Sequence, residues 1–392
     1  MSPTAQSVDT VIARLTPPGT GAIAVLAVHG PDARTVLTKL FRRRSQETPG
    51  LPDPPTPGRF WLGKLSEGAT DEVVLVLKQL QPTPWLELHV HGGQEVVRWL
   101  FEMFAAKGIR ACSASDFLLR TTPDALQALA WTALAEAPTA RTASILLDQA
   151  HGVFSRALAS LHDAIARNAC AEAASNLAEM MRFAPLGRHL TSPWQVVIAG
   201  APNVGKSSLI NALAGFQRSI VAPTPGTTRD VVRTSLAING WPVEIADTAG
   251  LRSTAEDLEG AGVGLARNAV AAADLCIWVL DAASDPVRPD FPATPLLWVV
   301  NKIDLPPVWD VGGVEGAIPV SAKTGAGLTE LCEAITRRLV ADVPAPGAPL
   351  PFVAELCDTL HDVQQTLTAG NSAKASQLLA AMRRASLDPP KE

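Results

Sequence analysis

The 392-residue sequence contains no tyrosine, only five cysteines and five methionines, and aromatic residues make up just 5% of it. The cysteines, at 112, 170, 276, 332 and 357, are odd in number, scattered, and never form a CxxC pair. That excludes a zinc ribbon or a disulfide scaffold and fits a reducing compartment. Long hydrophobic runs are missing too. No segment approaches the ~20 uninterrupted apolar residues that span a bilayer, and no basic-then-apolar signal opens the chain. Nor is basic charge in excess: 33 lysines and arginines against 38 acids leave a net charge of −5. A surface that binds nucleic acid everywhere is thereby excluded, although a local patch is not. The expectation is a cytoplasmic protein without a membrane partner.

What is present is a folded chain, 47% apolar and 18% charged, unlike the composition of disordered segments. At roughly 150 residues per domain, two or three domains are expected. Two proline-rich stretches punctuate the sequence: Thr48 to Gly58 reads as a long loop and Val343 to Pro351 as a stiff linker. Short apolar runs at Ala22–Val28, Val73–Leu77 and Leu86–Val90, separated by glycine and proline, suit a small α+β domain over residues 1–112. The segment Gln94–Ala106 carries Val96, Leu100 and Phe104 at helical spacing. Residues 124–182 are rich in alanine and leucine and read as long helices, and 352–386 share that character. A helical domain split into 113–190 and 344–392 is therefore expected, with 191–343 inserted between its parts. The insert alternates strand and helix. Gln195–Gly200 reads as a buried strand and Ser207–Ala214 as a helix; Asn239-Gly240 is a strong two-residue hairpin signal. Strands at Leu275–Asp281, Leu296–Asn301 and Ile318–Ser321, with helices near 256–273 and 327–341, complete a doubly wound, mostly parallel sheet with one antiparallel edge strand.

Gly200-Ala201-Pro202-Asn203-Val204-Gly205-Lys206-Ser207 is a full GxxxxGK[ST] loop between a strand and a helix, the context its mechanism requires. Its glycines let backbone N–H groups turn inward around a triphosphate, and the following helix adds positive potential. Lys206 would neutralise the β- and γ-phosphates and Ser207 would ligate magnesium. Asp247-Thr248-Ala249-Gly250 follows a strand about 40 residues later, where a second magnesium-site carboxylate belongs, and Gly250 would admit the γ-phosphate to the backbone. Asn301-Lys302-Ile303-Asp304 closes another strand. The Asp304 carboxylate can accept from guanine N1–H and N2–H₂, a donor pair adenine lacks. Ser321-Ala322-Lys323 can add a backbone donor to guanine O6. Three of only nine lysines fall at Lys206, Lys302 and Lys323. Gly226-Thr227-Thr228-Arg229-Asp230 stands where a mobile first switch belongs, and Thr227 or Thr228 could reach magnesium or the γ-phosphate. Together these motifs point to a guanine-nucleotide site.

The segments AGAPNVGKSSLINALAG, PGTTRD, DTAGLR, NKID and SAKTGAG resemble the bacterial tRNA-modification GTPases (MnmE/TrmE), relatives of the Era and Der GTPases. Asp9–Gly30, with Thr16-Pro17-Pro18-Gly19, and Glu87-Leu88-His89-Val90-His91-Gly92-Gly93 resemble the N-terminal domain of that family specifically. The resemblance implies an α/β P-loop GTPase domain inserted into a helical domain and preceded by a small α+β domain that serves folate binding and dimerisation. It implies a nucleotide site built from Asn203, Val204, Gly205, Lys206, Ser207, Ser208, Thr227, Thr228, Asp247, Gly250, Asn301, Lys302, Asp304, Ser321, Ala322 and Lys323. Magnesium would be held by Ser207, Thr228 and Asp247. Potassium, in place of an arginine finger, would be held by Asn203, Ala222, Thr224 and Thr227. Leu251 follows the Asp247 motif, so no glutamine stands there to orient water. The family's water-orienting glutamate lies twelve residues after that aspartate and matches Glu259, which could equally be a solvated charge beside Glu256 and Asp257. The implied catalytic set is Glu259, Lys206 and Thr228, with GTP as substrate.

The implied partners are a second copy of the chain through the N-terminal domain, an MnmG-type flavoprotein, and tRNA as a further candidate. The implied role is tRNA wobble-uridine modification; the alternative is a GTPase switch or ribosome-assembly GTPase that has lost this chemistry. Departures from the family concern folate. Its arginine position aligns with Ala27. Glu87 matches, but Gln81-Pro82-Thr83-Pro84-Trp85 replaces the polar stretch before it. The lysine-bearing segment is shortened near Thr121–Gln127, and no cysteine follows Cys357. Folate binding is therefore expected to be weak or absent.

Overall fold

The computed structural model describes residues 9–19, 21–44, 50–51, 56–65, 72–216, 233–247, 269–289 and 295–385. Its contacts divide the chain into a unit ending at Thr132 and a unit from Ala133 to Ala385. The first is α+β. Strands β1 (Val11–Arg14), β2 (Ile23–His29), β3 (Phe41–Arg43), β4 (Phe60–Leu65), β5 (Glu72–Gln79), β6 (Trp85–His91) and β7 (Arg110–Ala111) form one sheet in the order β3-β4-β5-β6-β2-β1-β7. All pairs are antiparallel except β1 with β7. Helices α1 (Ala33–Leu40) and α2 (Gln94–Ala105) supply Leu37, Leu40, Leu100 and Phe104 to a core with Leu26, Leu75 and Leu88. On the opposite face, Phe117 of α3 (Ala114–Thr121) packs with Val11, Ala13 and Ala27. This accounts for the strand sequences. β2 is apolar in successive residues because both its faces are covered, whereas β4 alternates and leaves Phe60 and Leu62 71% and 40% exposed. In α2 the buried positions are Val97, Leu100, Met103 and Phe104, and Val96 is only partly buried. The predicted Leu100 and Phe104 are core residues, and Val97 replaces Val96 as the buried position in the first turn.

The alanine-rich stretch forms shorter helices than the long ones expected. It forms α4 (Ala125–Ala135), α5 (Ala140–Ala150), α6 (Val153–Ala166), α7 (Cys170–Met181) and the short α8 (Ala184–Gly187). The breaks have local causes: Thr139 caps α5 with a capping box, and Gly152 and Asn168 take positive φ of 83° and 55°. The C-terminal stretch likewise splits into α11 (Ala354–Thr368) and α12 (Ser372–Ala385) around Gly370, at φ 73°.

In the second unit, α6 and α7 pack against α12 and α11, so helices before and after the insert share one body. Phe154 meets Phe352 edge-on at 5.7 Å, and Arg188 pairs with Asp358. The proline-rich segment is fastened down rather than free: Gly347 N–H donates to Asp148 at 2.8 Å, Gln149 donates to the Ala348 carbonyl at 3.1 Å, and Leu350 is fully buried.

Between these helices lie β8 (Trp194–Gly200), α9 (Lys206–Phe216), β9 (Arg233–Ile238), β10 (Trp241–Asp247), β11 (Leu275–Asp281), β12 (Leu296–Asn301), β13 (Ile318–Pro319) and α10 (Leu328–Leu339). The six strands run β13-β12-β11-β8-β10-β9, parallel except for β9. α9 and α10 cover one face through Leu209, Leu213, Leu331 and Ile335. The chain is thus an α/β P-loop domain set within helices and preceded by an α+β unit. Asn239 and Gly240, at φ 50° and 81°, make the predicted two-residue turn. Arg141 of α5 grips that turn: Nη1 donates to the Asn239 carbonyl at 2.9 Å, and the guanidinium lies 4.5 Å over Trp241. Trp241 meets Trp194 edge-on at 5.9 Å, and His189 stacks on Trp194 at 4.5 Å. β8 and β10 therefore start from a fixed aromatic base. Among the described residues, no helix is long and apolar enough to cross a membrane.

Candidate active site

The parallel strands β8, β10, β11 and β12 end on one edge of the sheet, at Gly200, Asp247, Asp281 and Asn301. Asp281 sits opposite Asn301, and Val279 opposite Gly200. Ligands of open α/β sheets bind at such carboxyl ends.

After β8 the chain curls through Asn203 and Gly205, at φ 64° and 92°, before α9 begins. Gly205 has no alternative: a Cβ there would collide with the Asn301 amide. Lys206 is 8% exposed, and its ammonium donates to the carbonyls of Gly200 at 3.1 Å and Ala201 at 2.9 Å. The cation therefore lies inside the curl where an anionic phosphate would be received. One position on, the Ser207 hydroxyl donates to the Asp247 carboxylate at 2.6 Å. A hydroxyl and a carboxylate from two separate motifs are thus adjacent, a hard-oxygen pair that suits magnesium. Ser208 is exposed at the start of the same helix.

The base side is equally connected. Asn301 is 1% exposed; its Nδ2 donates to the Val204 carbonyl at 2.9 Å and its Oδ1 accepts from Ala322 N–H at 3.0 Å. Lys302, at φ 65°, donates to the Asn203 carbonyl at 2.8 Å and to Asp281 at 2.6 Å. Asp304 is exposed, its Oδ1 accepting from the buried Ser321 hydroxyl at 2.7 Å. That bond is the main cause holding the Asp304 carboxyl below its ordinary range. Desolvation opposes it, and its own N–H, Lys323 and Lys302 act in the same direction. A carboxylate kept ionised and oriented in this way can accept two donors from a base edge.

The structure thus brings together Asn203, Val204, Gly205, Lys206, Ser207, Asp247, Asn301, Lys302, Asp304, Ser321 and Ala322. Lys323 is exposed on the loop beside Asp304. Ala222, Thr224, Thr227, Thr228, Gly250 and Glu259 lie outside the described residues. Asp281 is the residue that motif reading missed. Its signal is a lone acid ending a strand whose other positions, Leu275 to Leu280, are all apolar and buried.

Two family models match the chain: a 50S ribosome-binding GTPase over residues 195–302 and the N-terminus of the GTP-binding protein TrmE over 10–122. The tRNA modification GTPase MnmE of Thermus thermophilus is 31% identical over 367 residues, covering 85% of this chain and 83% of the relative. That of Rhodospirillum rubrum is 32% identical over 421 residues, covering 95% and 92%. The solved G domain of the T. maritima FeoB iron transporter aligns with 38% of this chain and 99% of its own at 24% identity, with a TM-score of 0.26.

The Ser321 bond yields a pH test. If the Asp304 carboxylate is the base acceptor, its depressed pKa preserves it as pH falls until that lowered value is crossed. In Ser321→Ala the largest depressing influence is gone, so the pKa rises and guanine-nucleotide affinity should fail at a higher pH than in the parent. Titration of GDP binding between about pH 7 and 4 reads the shift; superimposable acid limbs would contradict it.

Proposed function

The chain belongs to the MnmE/TrmE family of tRNA modification GTPases and is a GTP hydrolase, and on that premise we propose that its turnover depends on potassium and serves wobble-uridine modification with an MnmG-type flavoprotein. The observation that carries the GTP reading is the bonding of the phosphate, base and final loops through Asn301, with Ser207 and Asp247 already side by side.

Lys206 would exchange its two loop carbonyls for β- and γ-phosphate oxygens, and the N–H groups at the start of α9 would donate to the same phosphates. Ser207, Asp247 and Thr228 are the residues proposed to hold magnesium, which neutralises charge on the phosphates when bound. Asn203, with Ala222, Thr224 and Thr227, would hold potassium; the proposed oxygen donors suit a hard cation. Glu259 would orient the attacking water, since Leu251 cannot. Gly250 would hold the γ-phosphate end by backbone, while Asp304, Ala322 and Lys323 read and flank the guanine. The N-terminal unit supports a homodimer. One half of a sheet face is closed by α3, but the other leaves Phe60 and Leu62 exposed, an apolar area suited to burial against a second copy.

Folate fits this chain poorly. Ala27 is fully buried and stands opposite Glu87 in the β2–β6 register, so position 27 itself offers no cation. Glu87 instead lies 3.8 Å from Lys78 and 3.6 Å from His89. Loss of one charged contact alone lowers affinity by about tenfold to a hundredfold.

Three measurements test the proposal. tRNA from a strain lacking this gene should have lost its wobble-uridine modification by mass spectrometry; unchanged tRNA would favour a GTPase switch or a ribosome-assembly role. Replacing potassium by sodium should lower hydrolysis by at least about tenfold, one hydrogen-bond-sized contribution to the barrier, with GDP affinity nearly unchanged. Glu259→Ala should behave the same way in potassium. Equal rates in both salts, or full activity of Glu259→Ala, would reject these assignments.

A further inference from the structure

We propose that Asp281 is a positioning residue of the nucleotide site, which locks Lys302 against the phosphate loop and thereby shapes the guanine-binding loop. This rests on the base-loop role proposed above for Lys302 and Asp304. Asp281 ends the central strand β11, is 7% exposed, and stands in register with Asn301. Each of its oxygens has a partner: Oδ2 takes the Lys302 ammonium at 2.6 Å, Oδ1 takes Ala283 N–H at 2.8 Å, and its backbone carbonyl takes the Trp309 indole N–H at 2.8 Å. The carboxylate is therefore itself immobile, a firm post for a flexible lysine.

The lysine it holds is in an unusual state. Its backbone lies at φ 65°, a left-handed conformation that a side chain other than glycine, asparagine or aspartate rarely adopts. Such a conformation persists only where the surroundings over-determine it. Here backbone bonds from Ile303 N–H to the Val320 carbonyl and from Leu305 N–H to the Lys302 carbonyl act together with the ammonium's two anchors, Asp281 on the sheet and the Asn203 carbonyl on the phosphate loop. Lys302 thus spans from the loop that reads the base to the loop that receives the phosphates, and the span ends on Asp281. The carboxylate also neutralises Lys302, leaving its aliphatic stem rather than an unpaired charge to face an aromatic base.

The test is a double-mutant cycle read by GDP affinity, with thermal stability followed alongside. Asp281→Asn keeps the acceptor for Ala283 but replaces the lysine's anchor with an amide that can turn N–H toward it. It should weaken GDP binding by about ten- to a hundredfold, raise KM for GTP, and leave kcat at saturating GTP within about twofold. In a Lys302→Met background, the same substitution should cost less than about twofold. Asp281→Glu, which keeps the charge on a longer arm, should bind GDP more tightly than Asp281→Asn, and it carries the test if the asparagine variant does not fold. The inference is overturned if Asp281→Asn binds GDP like the parent, if its loss is the same with and without Lys302, or if glutamate rescues nothing. If Lys302→Met alone leaves GDP affinity intact, the failure lies with the base-loop reading.

Discussion

The Asn301 amide is the joint on which the site turns. One end donates to the Val204 carbonyl in the phosphate loop, the other accepts from Ala322 N–H in the loop after the last strand, and the side chain is almost wholly buried. A buried amide with both ends satisfied is modestly favourable, but one with an orphaned end costs about 1–3 kcal/mol. Each partner loop is thus penalised for moving alone. The same contact imposes glycine at 205, since any side chain there would displace the amide. Phosphate binding and base reading are consequently two ends of a single bonded structure.

That structure stands on a sheet anchored at its other edge. β8 and β10 start at Trp194 and Trp241, which pack on each other and on His189 and Arg141 from the helical segments. The same two strands end at Gly200 and Asp247, where the phosphate-site chemistry begins. The β9–β10 hairpin is notable for its neighbours in sequence: it begins at Arg233, after the Gly226–Asp230 motif, and ends at Asp247, the first residue of the Asp247–Gly250 motif. Arg141 holds its turn to α5. The hairpin is thereby fastened at its turn to the helical part of the same unit.

Much of this was legible because the chemistry is local. A phosphate loop needs its glycines, lysine and serine within one turn of chain, so Gly200 to Ser207 announce themselves, and so does the Asn239-Gly240 turn. Asn301, Lys302 and Asp304 were legible as a motif, although their bonds to Val204 and Asn203 depend on the fold bringing distant loops together. Asp281 was not legible as a functional residue, because its meaning comes from a lysine 21 positions away. The helix breaks at Gly152, Asn168 and Gly370 were also missed. Alanine and leucine set a strong helical background, while the stop is decided by single residues able to take positive φ. The segment after Val343 read as a linker by its prolines, yet Gly347 N–H and the carbonyl of Ala348 tie it to α5, a tertiary effect composition does not reveal.

The central claim is that this scaffold reads guanine through Asp304, and exchanging that acceptor tests it most directly. An asparagine there presents a donor where guanine also donates, but it matches xanthine, which carries a carbonyl at that edge. The account predicts that the parent protein prefers GTP to ATP by at least about a hundredfold, and that Asp304→Asn loses GTP while gaining xanthosine triphosphate binding. A parent that binds ATP as tightly as GTP, or an Asp304→Asn variant whose preference for GTP is unchanged, would contradict it.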